Sequence, residues 1–517
     1  MKRIWTMMLA LALTAVASAQ QTADQGDEQE VSLVHTRGCR VGTPRPEAAS
    51  RRAPSLIGGA NPYTGNRRQL VVLASFEDMD FAESQDATMR KWDKIFNTVD
   101  YNEGQFVGSV HDYFLAQSYG QFNLTFDLFF VALPDTRYKY RSTREHDENS
   151  QYMVDDIVDV LQTQDIDWSV YDWDGDNYVD QLLIVFAGKG MSHGGGTNSI
   201  WPHQWWLSHH KDETTSEAND YRDCRTVTRN GKNYYIDAYC CVQEVINTDI
   251  TKTSFGVICH EFSHCFGLPD FYYSGKIVGD WELMDNGNYN SQGYRPCNYS
   301  AHERMLMGWL TPIELTSATT ITGMPALDQE PVAYVVRNEG ARNECYFIEN
   351  RQQVGWDENL PGSGILIFHI DYDKSVWTSF VETVNTNSIK RYYIIPANNR
   401  TSTIASNGWA YPYAYSSYLQ ANDSLTNTST PAATLNNANI DGLYLMSKPI
   451  THMAIDANGL ASFVFMHDDI TAVSDVKQEQ PQASDLMYDL QGRRLSAPAK
   501  GLYIQGIRLR IKGKTIR

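Results

Sequence analysis

Basic residues are scarce in this chain, cysteines are few, and no long apolar run follows its first twenty residues. Against 62 Asp and Glu stand 43 Lys and Arg, a formal net charge of −19 over 517 residues. Binding to nucleic-acid phosphates needs a net basic footprint, as does attachment to an anionic membrane surface, so neither class fits. After residue 20 no segment reaches the roughly 18 apolar residues that a membrane-spanning helix requires. Eight cysteines are too few for a disulfide scaffold, and the lack of any Cys-x-x-Cys pair argues against a zinc ribbon. No internal repeat is visible. What remains, 42% hydrophobic, is a globular chain long enough for about three domains.

The N-terminus reads as an export signal. Lys2 and Arg3 precede an apolar stretch from Ile4 to Val16, and Ala17-Ser18-Ala19 supplies the small residues of a cleavage site. Residues 1–19 are therefore expected to be a secretory signal peptide, cut before Gln20, which takes the charge from −19 to −21 by removing two cations. Export permits disulfides, so one to three bridges, or buried free thiols, are expected. Residues 20–60, polar and punctuated by Gly, Pro and Arg, read as a leader or prosegment. The apolar runs Leu70–Phe76 and Gln181–Ala187, with helical patterning at Val110–Ala116, predict an α/β domain over 61–312. Short alternating strands (Tyr346–Glu349, Gly364–Ile370, Tyr392–Ile395, Ala461–Phe465) predict an antiparallel β domain over 313–470. A polar linker, 471–485, leads to a small basic β tail, 486–517.

The segment richest in chemistry is Thr253 to Asp270. Phe255, Ile258, Cys259, Phe262 and Phe266 recur at helical spacing, while His260 and His264, four apart, share another face. Gly267 suits the helix end, and Pro269 forbids its continuation, so the chain folds back and brings Asp270 towards the histidines. Two imidazoles, a third ligand from another direction and an open position for water are what a catalytic zinc ion needs. Glu261 then stands where a general base belongs, to take a proton from the attacking water and deliver it to the leaving amine.

His260-Glu261-x-x-His264-x-x-Gly267-x-Pro269-Asp270 resembles the zinc signature of the immune inhibitor A-like secreted metallopeptidases. These are relatives of the metzincins with aspartate at the third ligand position. The resemblance implies a zincin/metzincin-like fold, zinc held by His260, His264 and Asp270, Glu261 as general base, and protein or peptide substrates. It extends to Glu282-Leu283-Met284-Asp285, where Met284, 14 residues after Asp270, matches the methionine turn and would form a hydrophobic floor. Gly108–Phe114, Ser300–Pro312, Tyr346–Arg351 and Gly362–Asp371 carry it further, over roughly residues 65 to 375. The tail from Met487 resembles the C-terminal sorting domain of the type IX secretion system. That implies a secretion-machinery partner and export to the medium or surface of a Gram-negative, Bacteroidota-like cell.

Secondary candidates come with plainer alternatives. Asp172, Asp174, Asp176, Tyr178 (through its carbonyl) and Asp180 alternate around Gly175, as calcium favours, or form a solvated acidic loop. Cys39 is a latency thiol, a disulfide partner or an incidental unpaired thiol, and Arg51-Arg52 and Arg67-Arg68 are possible processing sites. His193 and His203 line the cleft, serve as alternative ligands or are structural; Tyr289 offers a phenol for an oxyanion. The expected function is a secreted zinc endopeptidase. The competing reading is a calcium-stabilised surface adhesin that keeps the fold without turnover.

Overall fold

The computed structural model describes residues 63–467, apart from 143–148, 211–221, 246–252, 274–276, 378–383, 387 and 415–420, together with short strands outside that range. The expected signal peptide, Cys39 and the linker lie outside the described residues. Met1–Met466 form one compact unit and His467–Arg517 a second. In the second, five short strands between Met487 and Thr515 form one antiparallel sheet.

The first sheet of the larger unit arises from apolar runs that only a doubly covered strand tolerates. Strand β1 (Gly65–Ser75) is flanked in parallel by β2 (Phe122–Ala132) and β3 (Leu182–Lys189). Beyond β3 lie β5 (Ala238–Val245), also parallel, and the antiparallel edge strand β4 (His203–Trp206). Leu70 to Ala74 and Leu182 to Val185 are fully buried. Helices α1 (Gln85–Asn97), α2 (Val110–Gln117) and α3 (Ser150–Leu161) accompany this sheet. Ser109 and Asp112 close a capping box that starts α2. At the β2 edge, the Asn97 side chain bonds both the N–H and C=O of Phe126, standing in for a missing strand. Arg67 and Arg68 lie inside β1, and Arg68 grips Asp127 with two hydrogen bonds. A regular paired strand is a poor protease substrate, so the dibasic pair there is structural.

Helices α4 (Gly256–Ser263) and α5 (Ala301–Leu306) follow. A Cβ at Gly256 would run into the Asn288 carbonyl oxygen, so only glycine lets α4 seat against the loop after Met284.

Past residue 312 the strands shorten. β6 (Ile313–Glu314), β8 (Tyr334–Arg337), β9 (Glu344–Arg351), β10 (Gly364–Asp371) and β11 (Tyr392–Ile394) form one sheet in that order, with β7 (Thr319–Met324), β13 (Ala461–Phe465) and β12 (Ile450–Ile455) forming another. All pairings are antiparallel except β6 with β8. The two-residue period of β9 and β10 divides their side chains between two cores. Tyr346, Ile348, Ile365 and Ile367 pack in a cluster within the β-rich part. Phe347, Leu366 and Phe368 join the cluster that holds Phe262, Phe266 and Met284. Each large apolar side chain so buried contributes roughly 1.5–3 kcal/mol.

The seam is not purely apolar. Arg351, entirely buried, bonds both Asp357 oxygens at 2.6 and 2.7 Å and Glu349 at 3.0 Å. Removing one partner of such a buried pair leaves an uncompensated charge, at a cost of about 3–5 kcal/mol. Nearby, Glu282 and Glu303 interact in the buried seam: burial pushes Glu282 well up and Glu303 to about 7. Because Glu303 has a higher proton affinity folded than unfolded, its contribution is complete below pH 4.5 and lost as pH rises through about 7. Unfolding free energies measured in urea from pH 4.5 to 8 should therefore fall by up to roughly 3 kcal/mol more in the native protein than in Glu303→Gln, which keeps the capping box. Parallel curves for the two proteins would refute this assignment.

Candidate metal and catalytic site

Helix α4 presents His260 and Glu261, and His264 follows at its last turn, where a 3-10 turn (His264–Phe266) tightens the chain. Gly267 then takes φ +84°, a left-handed conformation that glycine adopts without strain, and the chain reverses towards Asp270. The expected single helix is thus met, with its final turn wound more tightly.

Each imidazole is oriented by a backbone carbonyl. His260 Nδ1 donates to Leu283 O at 2.8 Å and His264 Nδ1 to Leu268 O at 2.7 Å. A carbonyl only accepts, so in the neutral ring the proton sits on Nδ1 and the Nε2 lone pair is left for another partner. Both Nε2 atoms converge on Asp270 Oδ1, at 3.0 Å from His260 and 3.6 Å from His264. Glu261 Oε2 lies 3.9 Å from His264 Nε2, and a ligand atom from each of His260, Glu261 and His264 falls within 4.8 Å of the others. Asp270 Oδ1 is buried without a hydrogen-bond partner. Two nitrogen lone pairs and an unsatisfied carboxylate oxygen fit a divalent cation of the zinc type.

The electrostatics express a demand for positive charge beside Asp270, met in the metal-free chain by a second proton on His260. Burial disfavours charge on all three groups. Against that penalty, the neighbouring Asp270 and Glu261 carboxylates lift His260 to about 9. Both imidazoles and the Tyr272 hydroxyl hold Asp270 down near 2, while burial keeps His264 below its ordinary value. The site is a buried carboxylate that demands a positive charge beside it.

The loop after Asp270 is braced from several sides. Asp285 Oδ2 gathers the N–H groups of Ile277, Val278 and Gly279 at 2.7–2.8 Å. Met284 is fully buried, directly after the carbonyl that holds His260, and its own carbonyl accepts from Phe271 N at 3.0 Å.

The other candidates separate. His193 and Tyr289 come together, with ring centroids 5.8 Å apart, and Gln243 Nε2 donates to His193 Nδ1 at 3.1 Å. Burial and the negative charge of Glu261 both raise the Tyr289 phenol, which places it within electrostatic range of the site. His203 is drawn elsewhere: its Nδ1 donates to Trp201 O, and its Nε2 joins a buried cluster with Ser150 and Tyr239. Its role is structural. Asp172, Asp174 and Asp176 converge within 4.8 Å, whereas Asp180 accepts from Trp173 N at 2.5 Å and closes the base of that loop, adjoining the bridge between Tyr178 and Tyr235. Cys240, Cys241, Cys259, Cys265, Cys297 and Cys345 are buried free thiols, and Cys224 is disulfide-bonded. Sequence reasoning missed Tyr272 and Gln243, which stand outside any periodic or motif pattern.

Comparison with known proteins bears on the same segment. The family described as "Immune inhibitor A peptidase M6, catalytic domain" matches residues 76–308, which contain His260, Glu261, His264, Asp270 and Met284. Immune inhibitor A of Bacillus thuringiensis subsp. alesti is 26% identical over 166 residues, 29% of this chain, and the chain spans only 22% of that relative's length. Among the described residues no helix is long and apolar enough to cross a membrane. Residues 76–308 are thus similar to a peptidase catalytic domain.

Proposed function

We propose that the protein is a secreted zinc endopeptidase with His260, His264 and Asp270 as metal ligands and Glu261 as general base. One observation carries the reading: two Nε2 lone pairs, each fixed by a carbonyl on the far side of its ring, converge on an unsatisfied carboxylate oxygen beside Glu261. The matched peptidase segment supports it independently. Zinc held there supplies the Lewis acidity that lowers the pKa of a water and polarises a peptide carbonyl. Glu261 accepts the proton of the attacking water and returns it to the departing amine. Tyr289, at the rim with His193, donates a hydrogen bond to the carbonyl oxygen as it gains charge. Met284 closes the floor as apolar packing.

The same reading takes residues 1–19 as the export signal and 486–517 as the sorting tail, whose support is its small antiparallel sheet. It also assigns calcium to Asp172, Asp174 and Asp176, supported by the convergence of their carboxylates.

Glu261→Gln should retain zinc and lose roughly 10²–10⁴-fold in casein cleavage, with chelator abolishing cleavage by the native protein. Undiminished cleavage by the variant would sink the mechanism. Tyr289→Phe should lower kcat about 10²-fold with KM and zinc content unchanged; an effect confined to KM would remove Tyr289 from the reaction. At fixed zinc, added calcium should raise the melting temperature of the native protein but not of Asp174→Asn/Asp176→Asn, and equal shifts in both would dismiss the calcium site.

A further inference from the structure

The metal-site motif lies wholly within the matched segment, which ends at residue 308. The third ligand is nevertheless held from beyond it. Phe271, next to Asp270 and fully buried, is gripped at three points. Its N–H donates to Met284 O at 3.0 Å. Its carbonyl accepts from Asn385 Nδ2 at 2.7 Å. Its ring stacks on Tyr392, with centroids 3.7 Å apart and planes 11° from parallel.

Asn385, itself 1% exposed, has its remaining capacity spent on the same assembly. Nδ2 also donates to Tyr392 O at 2.7 Å, and Oδ1 accepts from Arg391 N and Tyr392 N at 3.0 Å. The Tyr392 hydroxyl reaches back to Glu282 Oε2 at 2.9 Å and Ser300 Oγ at 2.7 Å. Glu282 begins the turn whose Leu283 carbonyl orients His260. Asn385 and Tyr392 thus touch the supports of two ligands, Asp270 and His260, from opposite ends of one turn. An asparagine side chain that satisfies four backbone groups at once is held in place, and through Phe271 it constrains the neighbouring Asp270.

We infer that Asn385 and Tyr392, on the β-rich part of the chain, are positioning residues for the metal site: by clamping Phe271 they fix Asp270 where it meets the two imidazoles. The inference rests on the zinc-site reading above. It makes residues beyond the peptidase-like segment necessary for tight metal binding. Groups that orient metal ligands typically alter affinity by 10–100-fold when lost.

The test uses the full chain and zinc itself. Zinc affinity, measured by competition with a chromophoric chelator, should weaken about 10–100-fold in Asn385→Asp, which is isosteric but places an oxygen against the Phe271 carbonyl. The visible spectrum of the cobalt-substituted protein should change with it, because the geometry of the carboxylate ligand is altered. Metal-free melting curves report whether the variant folds. Where Asn385→Asp does not fold, Phe271→Leu, which keeps apolar burial but loses the stack on Tyr392, should shift zinc affinity and cobalt spectrum in the same direction. Native zinc affinity and an unchanged cobalt spectrum in a folded variant would overturn the clamp while leaving the peptidase reading intact, provided that His260→Ala abolishes zinc binding. Failure of the native protein to bind zinc would overturn both.

Discussion

A histidine offers a lone pair at Nε2 only when its proton is kept at Nδ1, and two carbonyls enforce that here. Leu283 O and Leu268 O each accept from one imidazole. Leu268 follows the left-handed Gly267, which ends the helix that bears both rings. Leu283 lies in the turn braced by Asp285 and by the buried Glu282. On the proposed reading, the two imidazoles are aimed by backbone oxygens on the far side of each ring, and the elements that place those oxygens are the ones the rest of the fold serves.

Those elements sit over a seam with unusually many buried charges. Arg351 is neutralised by Glu349 and Asp357, while burial raises both Glu282 and Glu303 and Tyr392 reaches both Glu282 and Ser300. Burial strengthens each of these interactions and penalises every unpaired member, so the seam closes as a unit or not at all. Around it, Phe347, Leu366 and Phe368 share one apolar cluster with Phe262 and Met284. The β-rich part thereby adjoins the site chemically, not merely along the chain.

Legibility followed the physics of local order. Helical spacing located α4 and the two histidines, because apolar burial on one face imposes a period of 3.6 residues. Gly267 and Pro269 marked its end for conformational reasons. The alternations at Tyr346–Glu349 and Gly364–Ile370 marked strands in the same way, although not that their two faces feed different cores. Several residues resisted such reading. His203 carries the same side chain as His260 but is claimed by Ser150 and Tyr239, and only its surroundings separate a ligand from a packed ring. Arg68 belongs to a dibasic pair by sequence and to a solvent-facing ion pair with Asp127 by structure. Asp180 continues the aspartate alternation yet turns to Trp173 N.

Taken alone, the sequence determined the helix, the four residues proposed to do the chemistry, the glycine that reverses the chain, and an overall acidic, cysteine-poor composition. These depend on neighbours within a few residues, where periodicity and backbone preference speak directly. Tertiary structure decided which lone pairs point inward, that Tyr289 meets His193, and that Asn385 and Tyr392 grip Phe271 from more than 100 residues away. Such contacts are made by single side chains across the fold. A hydrogen bond between distant residues leaves no period and no spacing in the chain, so nothing short of the folded geometry discloses it.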